Sequence, residues 1–446
     1  MNKYSFNVLD QLNLNIQITD NPYQIPLDDL FALAARINKK RSFLFVSKIL
    51  GKHIPVKPHT GLLGALSLGL LLQAHNGEQL PVEMDEIVRG FSDPAEAAKL
   101  YEKLKQNRLP VPKPTIFIGF AETATALGHG MFDLFTGPAR FIHTTRESIH
   151  ETSPRLSFEE EHSHATAHRC YAADADFFKG EDTIVLVDDE ITTGKTALNI
   201  IRDIQQKHPR KHYVLASLLD WRSDEQKAQF TQLEQSLGIT IDCISLIQGE
   251  ISVSGTPEVE ANLSHLPTDE AGEQRIRIIS LSEYFDHLGY SSVNSLGDVN
   301  KEEYLKLSGR FGMSAQESYA LDDSISNAAV CLMQYRTDKS TLCLGTGEFM
   351  YIPMRIAAEM GEGIFYQSST RSPIHPFEDE AYAVKNKFAF HSPDDPAIPY
   401  YFYNVPKGVY GELFVFIERS SHPDALKSYE KVLLSTGIPQ INMVLF

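Results

Sequence analysis

The sequence predicts an α/β protein built as two successive units, each a mostly parallel sheet covered by helices. Three observations lead there. A chain of 446 residues is longer than one typical core and asks for two domains. From about Pro110 to residue 247, short apolar runs alternate with helical patterns, as βαβ units do. The same order of features then recurs in weaker form beyond residue 340.

Composition narrows the class. Hydrophobic residues at 42% and charged residues at 22% are those of a globular enzyme. A net charge of −17 disfavours a general nucleic-acid binder while leaving room for a local basic pocket. The four cysteines, Cys170, Cys243, Cys331 and Cys343, show neither metal-like nor disulfide-like spacing, which fits a reducing cytoplasm. The start "MNKYSFNVLDQLNLNIQ" has no apolar run behind a basic stretch, so no signal peptide is expected. The most apolar run, "LLGALSLGLLL" at 62–72, is about half the length that crosses a bilayer and reads as a buried helix, with no membrane partner.

Along the first unit, "TIFIGF" (115–120) reads as a buried strand, "AETATALGHGMFDLF" as a helix and "ARFIHTT" (139–145) as the next strand. Residues 147–178 are polar and aperiodic, the pattern of a long lid. Strand 184–187 follows, then a turn, the helix "TALNIIRDIQQKH", strand 213–220, a polar helix and strand 239–247. The stretch 255–274 has the composition of a surface loop, and the domains are placed at 1–288 and 289–446.

An internal repeat supports the two-unit reading. Both "IFIGFAETATALGHGMFDLFTGPARFIHTTRESI" and "LCLGTGEFMYIPMRIAAEMGEGIFYQSSTRSPI" run strand, glycine turn with Glu, helix, strand, Thr-Arg. Glu122 to Arg146 spans 24 positions and Glu348 to Arg371 spans 23. "GEDTIVLVDDEITTGKTALNIIRDI" is answered by "YGELFVFIERSSHPDALKSYEKVL", which keeps one acid, Glu418, and loses the Thr-Gly turn. "FVSKILGKH" near 45 likewise parallels "LKLSGRFGM" near 305. The second unit is therefore expected to be a smaller, degenerate copy of the first.

The chemistry concentrates in "TIVLVDDEITTGKT" (183–196). Its Gly194-Lys195-Thr196 ending looks like a Walker loop, but the place that needs the first glycine holds Asp189. What remains is a buried strand, two adjacent carboxylates and a Thr/Gly turn opening a helix. Carboxylates accept hydrogen bonds from vicinal hydroxyls, and the hydroxyls and N–H groups of Thr192, Thr193, Gly194, Lys195 and Thr196 form an anion nest. Diol plus phosphate describes a ribose 5-phosphate.

This run resembles the phosphoribosyl pyrophosphate (PRPP) motif of type I phosphoribosyltransferases: four apolar residues, two acids, two variable residues, then Thr/Ser, a small residue, Gly, any residue, Thr/Ser. The early "FVSKILGKHIPVKP" is similar to a Lys/Gly/Pro segment of orotate-phosphoribosyltransferase-like members. The resemblance implies a Rossmann-like fold with Asp188 and Asp189 on the ribose hydroxyls and Thr192 to Thr196 on the 5-phosphate. It places Ala121, Glu122 and Thr123 at the pyrophosphate loop, where a carboxylate is out of pattern; Glu122 acts through Mg²⁺ or caps the helix. Arg146 suits pyrophosphate because a guanidinium holds phosphate oxygens bidentately, with Lys48 and Lys52 as further cations. Mg²⁺ is the implied cofactor, near Asp188 and Asp189. Glu161, His162 and His164 on the lid are candidate acid/base or leaving-group contacts, while His162, His164 and His168 have a spacing that could also ligate zinc. Asp220, Trp221 and Arg222 stand where this fold recognises the base, with Trp221 as a stacking platform.

In the second unit, "STRSPIHP" (369–376) after "LGTGEFMY" resembles the TRSP domain, which is fused to phosphoribosyltransferases in bacterial tellurium-resistance and stress-response gene clusters. Gly345, Gly347, Glu348, Thr370, Arg371 and Ser372 form its candidate site, as a glycine turn whose N–H groups receive phosphate beside an arginine, or the unit is a structural or dimerising lobe. The resemblance implies transfer from PRPP to an unknown base or related small acceptor in a nucleotide-like biosynthetic pathway. Its implied partners are a second copy of the chain and enzymes of the same cluster. A non-catalytic PRPP or nucleotide sensor is the alternative, and pyrophosphate-dependent cleavage a weaker third.

Overall fold

The apolar runs that alternate with helical patterns become buried strands, and these assemble into two main sheets. The computed structural model describes residues 3–37, 42–159, 167–255, 273–379, 382–420 and 423–446. The first sheet has eight strands, in the order Lys3–Val8, Leu12–Asp20, Thr240–Gly255, His212–Asp220, Thr183–Ile191, Thr115–Gly119, Ala139–His143, Met313–Ser314. The five from Thr240–Gly255 to Ala139–His143 are mutually parallel, and the flanking strands join antiparallel. Helices Ala124–Asp133, Lys195–Lys207 and Asp224–Leu237 make the crossovers.

The second sheet is wholly parallel: Arg275–Ser280, Gln440–Leu445, Glu412–Ile417, Thr341–Gly345, Ile364–Ser368. Counted along the chain, its last four strands lie in the order 2-1-3-4, and the first sheet's parallel strands lie in the order 2-1-3-4-5. Its fifth place is filled from upstream by Arg275–Ser280. That strand lies before the expected boundary at 288, so the second sheet begins earlier than expected. Its mostly exposed, edge-strand pattern hides the connection in the sequence.

Three elements differ from expectation for physical reasons. The strand expected over 184–187 runs on to Ile191, carrying both aspartates, because its partner His212–Asp220 continues alongside. The last parallel strand extends to Gly255 because Leu12–Asp20 pairs along its second half. The segment expected as a structureless lid contains the hairpin Leu156–Glu159/Ala167–Cys170, anchored by the buried Leu156, Phe158 and Cys170.

The apolar run at 62–72 lies in helix Pro58–His75, almost every residue of which is buried. The helix packs against Ala124–Asp133 and Tyr351–Glu359, one from each unit. Gly130 permits the approach, since a Cβ there would meet that of Ala65 at 2.6 Å.

Beside it lies Asp133, 2% exposed. Ser318 Oγ (2.6 Å), Tyr351 Oη (2.6 Å) and Arg355 Nη1 (3.1 Å) donate to it from the second unit. Arg108 Nη2 (2.7 Å) and Lys105 Nζ donate from the first. Burial pushes its carboxyl up, but Lys105, Arg355 and Arg108 together hold it well below the usual carboxylate range. Asp133→Asn should destabilise the whole chain by about 3–5 kcal/mol, the usual cost of breaking a buried ion cluster from one side. Urea denaturation measures this, and an unchanged midpoint would remove Asp133 from the seam.

Candidate active site

The strand Thr183–Ile191 delivers the first site. Ile184, Val185, Leu186 and Val187 are fully buried, which fixes the register at which Asp188, Asp189 and Glu190 emerge half-buried at the carboxyl edge. Parallel sheets bind ligands at that edge, where connections leave in opposite directions. The switch here lies between Thr115–Gly119 and Thr183–Ile191. Asp189 N donates to Asp188 Oδ1 at 3.0 Å. Burial, then the charge of Glu190, pushes the Asp189 carboxyl up to about 6.

Thr192 to Thr196 are all half-buried. Gly194, at φ 74°, caps helix Lys195–Lys207, whose first turn presents N–H groups to the same corner. Thus the aspartates and the Thr/Gly turn come together in a partly open corner.

Across the switch point stand Ala121, Glu122 and Thr123. Ala121 N donates to Thr144 Oγ1 (2.8 Å), and the Ala121–Glu122 peptide is cis. Glu122 is 8% exposed and has found a use that the sequence did not reveal. Its Oε2 accepts from Arg371 N (3.2 Å) and Thr370 Oγ1 (3.5 Å) of the second unit, and lies 3.7 Å from Lys52 Nζ. Burial pushes the Glu122 carboxyl up, yet Lys52, Arg371 and Arg146 outweigh it and hold it below its usual value. Glu122 does not cap the following helix, whose N-cap is Thr123. Lys52, fully buried, also donates to Gly347 O (3.1 Å); burial lowers its ammonium while Glu122 and Asp189 pull it back up.

The second unit mirrors this arrangement. Glu348 accepts from Thr145 Oγ1 (2.7 Å) and Arg146 N (2.9 Å) of the first unit, and lies 3.7 Å from Arg310. Arg310 in turn holds Glu418 through Nη1 at 2.9 and 2.8 Å, as Lys52 faces Asp189. Gly345, Gly347, Glu348, Thr370, Arg371 and Ser372 therefore gather at the carboxyl edge of the second sheet, with Ser372 N donating to Thr370 Oγ1 (3.1 Å). Arg310 is the residue that sequence reading left without a role. The signal was there, in the parallel between "GKH" and "GRF".

Other expected residues are dispersed. Arg146 lines a cavity on the second unit's side of the seam. Lys48 Nζ donates to Asp28 O at 2.6 Å. The expected base platform is drawn inward. Trp221, 6% exposed, stacks on Phe45 at 5.0 Å and meets Phe31 edge-on at 6.2 Å. Asp220 and Arg222 pair with each other, with Nη2 to Oδ2 at 2.7 Å. Phe45 and Asp189 line a small hollow of 20 Å³ together with Ile49, Leu50, Leu218 and Leu219. Glu161, His162 and His164 lie outside the described residues. His168 is buried, stacked on Phe158 and in contact with Thr144 Oγ1 at 3.0 Å.

Among the described residues no cluster of three or more His, Cys, Asp or Glu could hold a metal by itself. Asp188 and Asp189 offer the hard, half-buried oxygens that suit Mg²⁺ sharing its shell with a bound phosphate ligand.

Residues 30–250 match a family described as phosphoribosyl transferase, and residues 307–435 match the TRSP domain found C-terminal to that family. No curated protein matches the chain. It is similar to solved adenine phosphoribosyltransferases. That of Trypanosoma brucei, in complex with AMP, pyrophosphate and ribose 5-phosphate, is 17% identical over 34% of this chain and 65% of its own, with TM-score 0.23. That of Leishmania donovani is 17% identical over 35% and 66%, with TM-score 0.23. That of Saccharomyces cerevisiae, complexed with an imino-altritol bisphosphate and adenine, is 15% identical over 35% and 82%, with TM-score 0.22. The chain thus spans just under two thirds of the first two relatives' length. A likeness this distant decides nothing about substrate.

The phosphate turn itself is testable through its glycine. A Cβ at Gly194 would meet the Phe230 ring at 2.6 Å in a left-handed backbone, so Gly194→Ala should cost at least about 1–2 kcal/mol. Thermal unfolding reads the loss, and an unchanged midpoint would mean that the turn has another conformation.

Proposed function

Taking the chain as a phosphoribosyltransferase domain with a TRSP domain C-terminal to it, we propose that the first unit transfers the phosphoribosyl group of PRPP to a small-molecule acceptor. One observation carries the reading: two aspartates leave a buried strand directly into a half-open Thr/Gly helix mouth. The pair suits the vicinal hydroxyls of a ribose, and the helix mouth suits a phosphate dianion. The C1–O bond to pyrophosphate breaks, the pyrophosphate leaves with the electron pair, a C1–N bond forms to an acceptor ring nitrogen through an oxocarbenium-like transition state, and the ring N–H proton passes to the departing pyrophosphate.

The protein's share is positioning and charge stabilisation. In this reading pyrophosphate lies along Ala121, Glu122 and Thr123, with Lys52 the nearest buried cation and Lys48 and Arg146 farther out. Mg²⁺, when bound with substrate, supplies charge neutralisation on the leaving group; Asp188 and Asp189 would hold it from the protein side. The acid/base part assigned to Glu161, His162 and His164 remains an expectation on residues outside the described set. The wider setting, a nucleotide-like pathway tied to stress or tellurium resistance, rests on the family resemblance alone.

The second unit is, in the same proposal, a degenerate copy that kept the frame and lost the PRPP motif. The matching strand order supports this. So does the pairing of Lys52 with Glu122 as Arg310 with Glu348, at 3.7 Å in both cases.

With labelled PRPP and Mg²⁺, slow pyrophosphate release is expected without acceptor, accelerated by the right base. Asp189→Asn should reduce it roughly 10- to 100-fold, the worth of one or two hydrogen bonds to a charged group. PRPP binding without turnover for any acceptor would assign the chain to sensing instead, and no binding at all would overturn the reading.

A further inference from the structure

A cavity lies at the carboxyl edge of the second sheet, and the aspartate pair is not among its lining residues. Its volume is 270 Å³, just under the usual range for ligand pockets, roughly 300–1,000 Å³. Its walls come from the turns after Thr341–Gly345, Ile364–Ser368 and Glu412–Ile417, with Arg146 and Arg169 closing it from the first unit. This is the second sheet's own switch point, between its strands 1 and 3, where an open parallel sheet binds ligands. A purely structural lobe would be expected to fill it.

Five arginines line it: Arg146, Arg169, Arg310, Arg371 and Arg419. Two of them are spent on structure. Arg310 is shared among Glu147, Glu348 and Glu418, and Arg419 lies at 3.3 Å from Glu147 and 3.6 Å from Asp394. Two others have no salt bridge among the described residues. The Arg169 guanidinium donates to Arg146 O (3.3 Å), and Arg371 donates through Nε to the Tyr400 hydroxyl (2.9 Å), leaving terminal amino groups for a further acceptor. Five carboxylates balance the arginines formally. Burial and then Glu147 push Asp394 up to about 7, however, and the same two causes raise Glu348. Both shifts weaken the negative side of this balance.

We infer that this cavity is a second binding site, for a sugar phosphate: Arg169 and Arg371 take the phosphate, and the Ser392 hydroxyl and Asp394 take the sugar hydroxyls. Guanidinium forks suit the phosphate's adjacent oxygens. The volume suits a monosaccharide phosphate. The cavity shares Arg146 with the transferase reading but no residue with the Asp188–Thr196 corner, so binding in a chain whose aspartate pair is broken separates the two.

The test is calorimetry on the full chain carrying Asp189→Asn, titrated separately with ribose 5-phosphate and with inorganic phosphate. Ribose 5-phosphate should bind saturably, one per chain, and more tightly than phosphate. Adding Arg371→Gln or Arg169→Gln should weaken it about tenfold or more, as loss of a charged hydrogen bond does, with unchanged unfolding midpoints without ligand. In the unsubstituted chain, ribose 5-phosphate should protect Arg371 and Arg169 from phenylglyoxal labelling, read by mass spectrometry, which needs no folded variant. Absence of saturable binding at low-millimolar ligand, affinity untouched by both substitutions, or labelling without protection would each overturn the site. Equal affinity for inorganic phosphate would overturn its assignment to a sugar phosphate.

Discussion

Two buried glutamates exchanged across one seam set the terms for the whole molecule. Glu122 leaves the first unit to accept from Thr370 and the Arg371 amide, and Glu348 leaves the second to accept from Thr145 and the Arg146 amide. A carboxylate this buried costs several kcal/mol unless it is paired and hydrogen-bonded. Each finds its donors only when the two units are docked, and each has its own cation, Lys52 or Arg310, at 3.7 Å. Docking and the shape of both glycine turns are therefore one constraint.

That constraint explains why the two carboxyl edges differ. On the first unit the Asp188–Asp189 pair and the Thr/Gly turn lie outside the exchange and stay partly open. On the second, the position of the aspartates holds Glu418 and Arg419, whose charges are absorbed by Arg310, Glu147 and Asp394. The second edge carries no aspartate pair. It keeps an arginine-rich hollow, because Arg371 presents its amide to Glu122 and leaves its side chain for the cavity.

Much of this was legible in the sequence. The buried strands announced themselves as apolar runs, and the meeting of the aspartate pair with the Thr/Gly turn was legible because every participant is local. The repeat located both glycine turns and both Thr-Arg ends. What could not be read was any role that depends on distant partners. Glu122 looked like an anomaly in a phosphate loop because its acceptor role is completed 248 residues away. Trp221 looked like a platform because nothing local shows that Phe45 and Phe31 close over it. The lid looked structureless because Leu156, Phe158 and Cys170 are too few for a periodic signal, yet they suffice to anchor a hairpin.

Amide hydrogen exchange resolved at Arg146 and Arg371 tests the exchange of glutamates most directly. The account predicts that both amides are protected in the intact chain, that Glu122→Ala exposes the Arg371 amide while sparing Arg146, and that Glu348→Ala does the reverse. Protection of both amides unaffected by either substitution would contradict it.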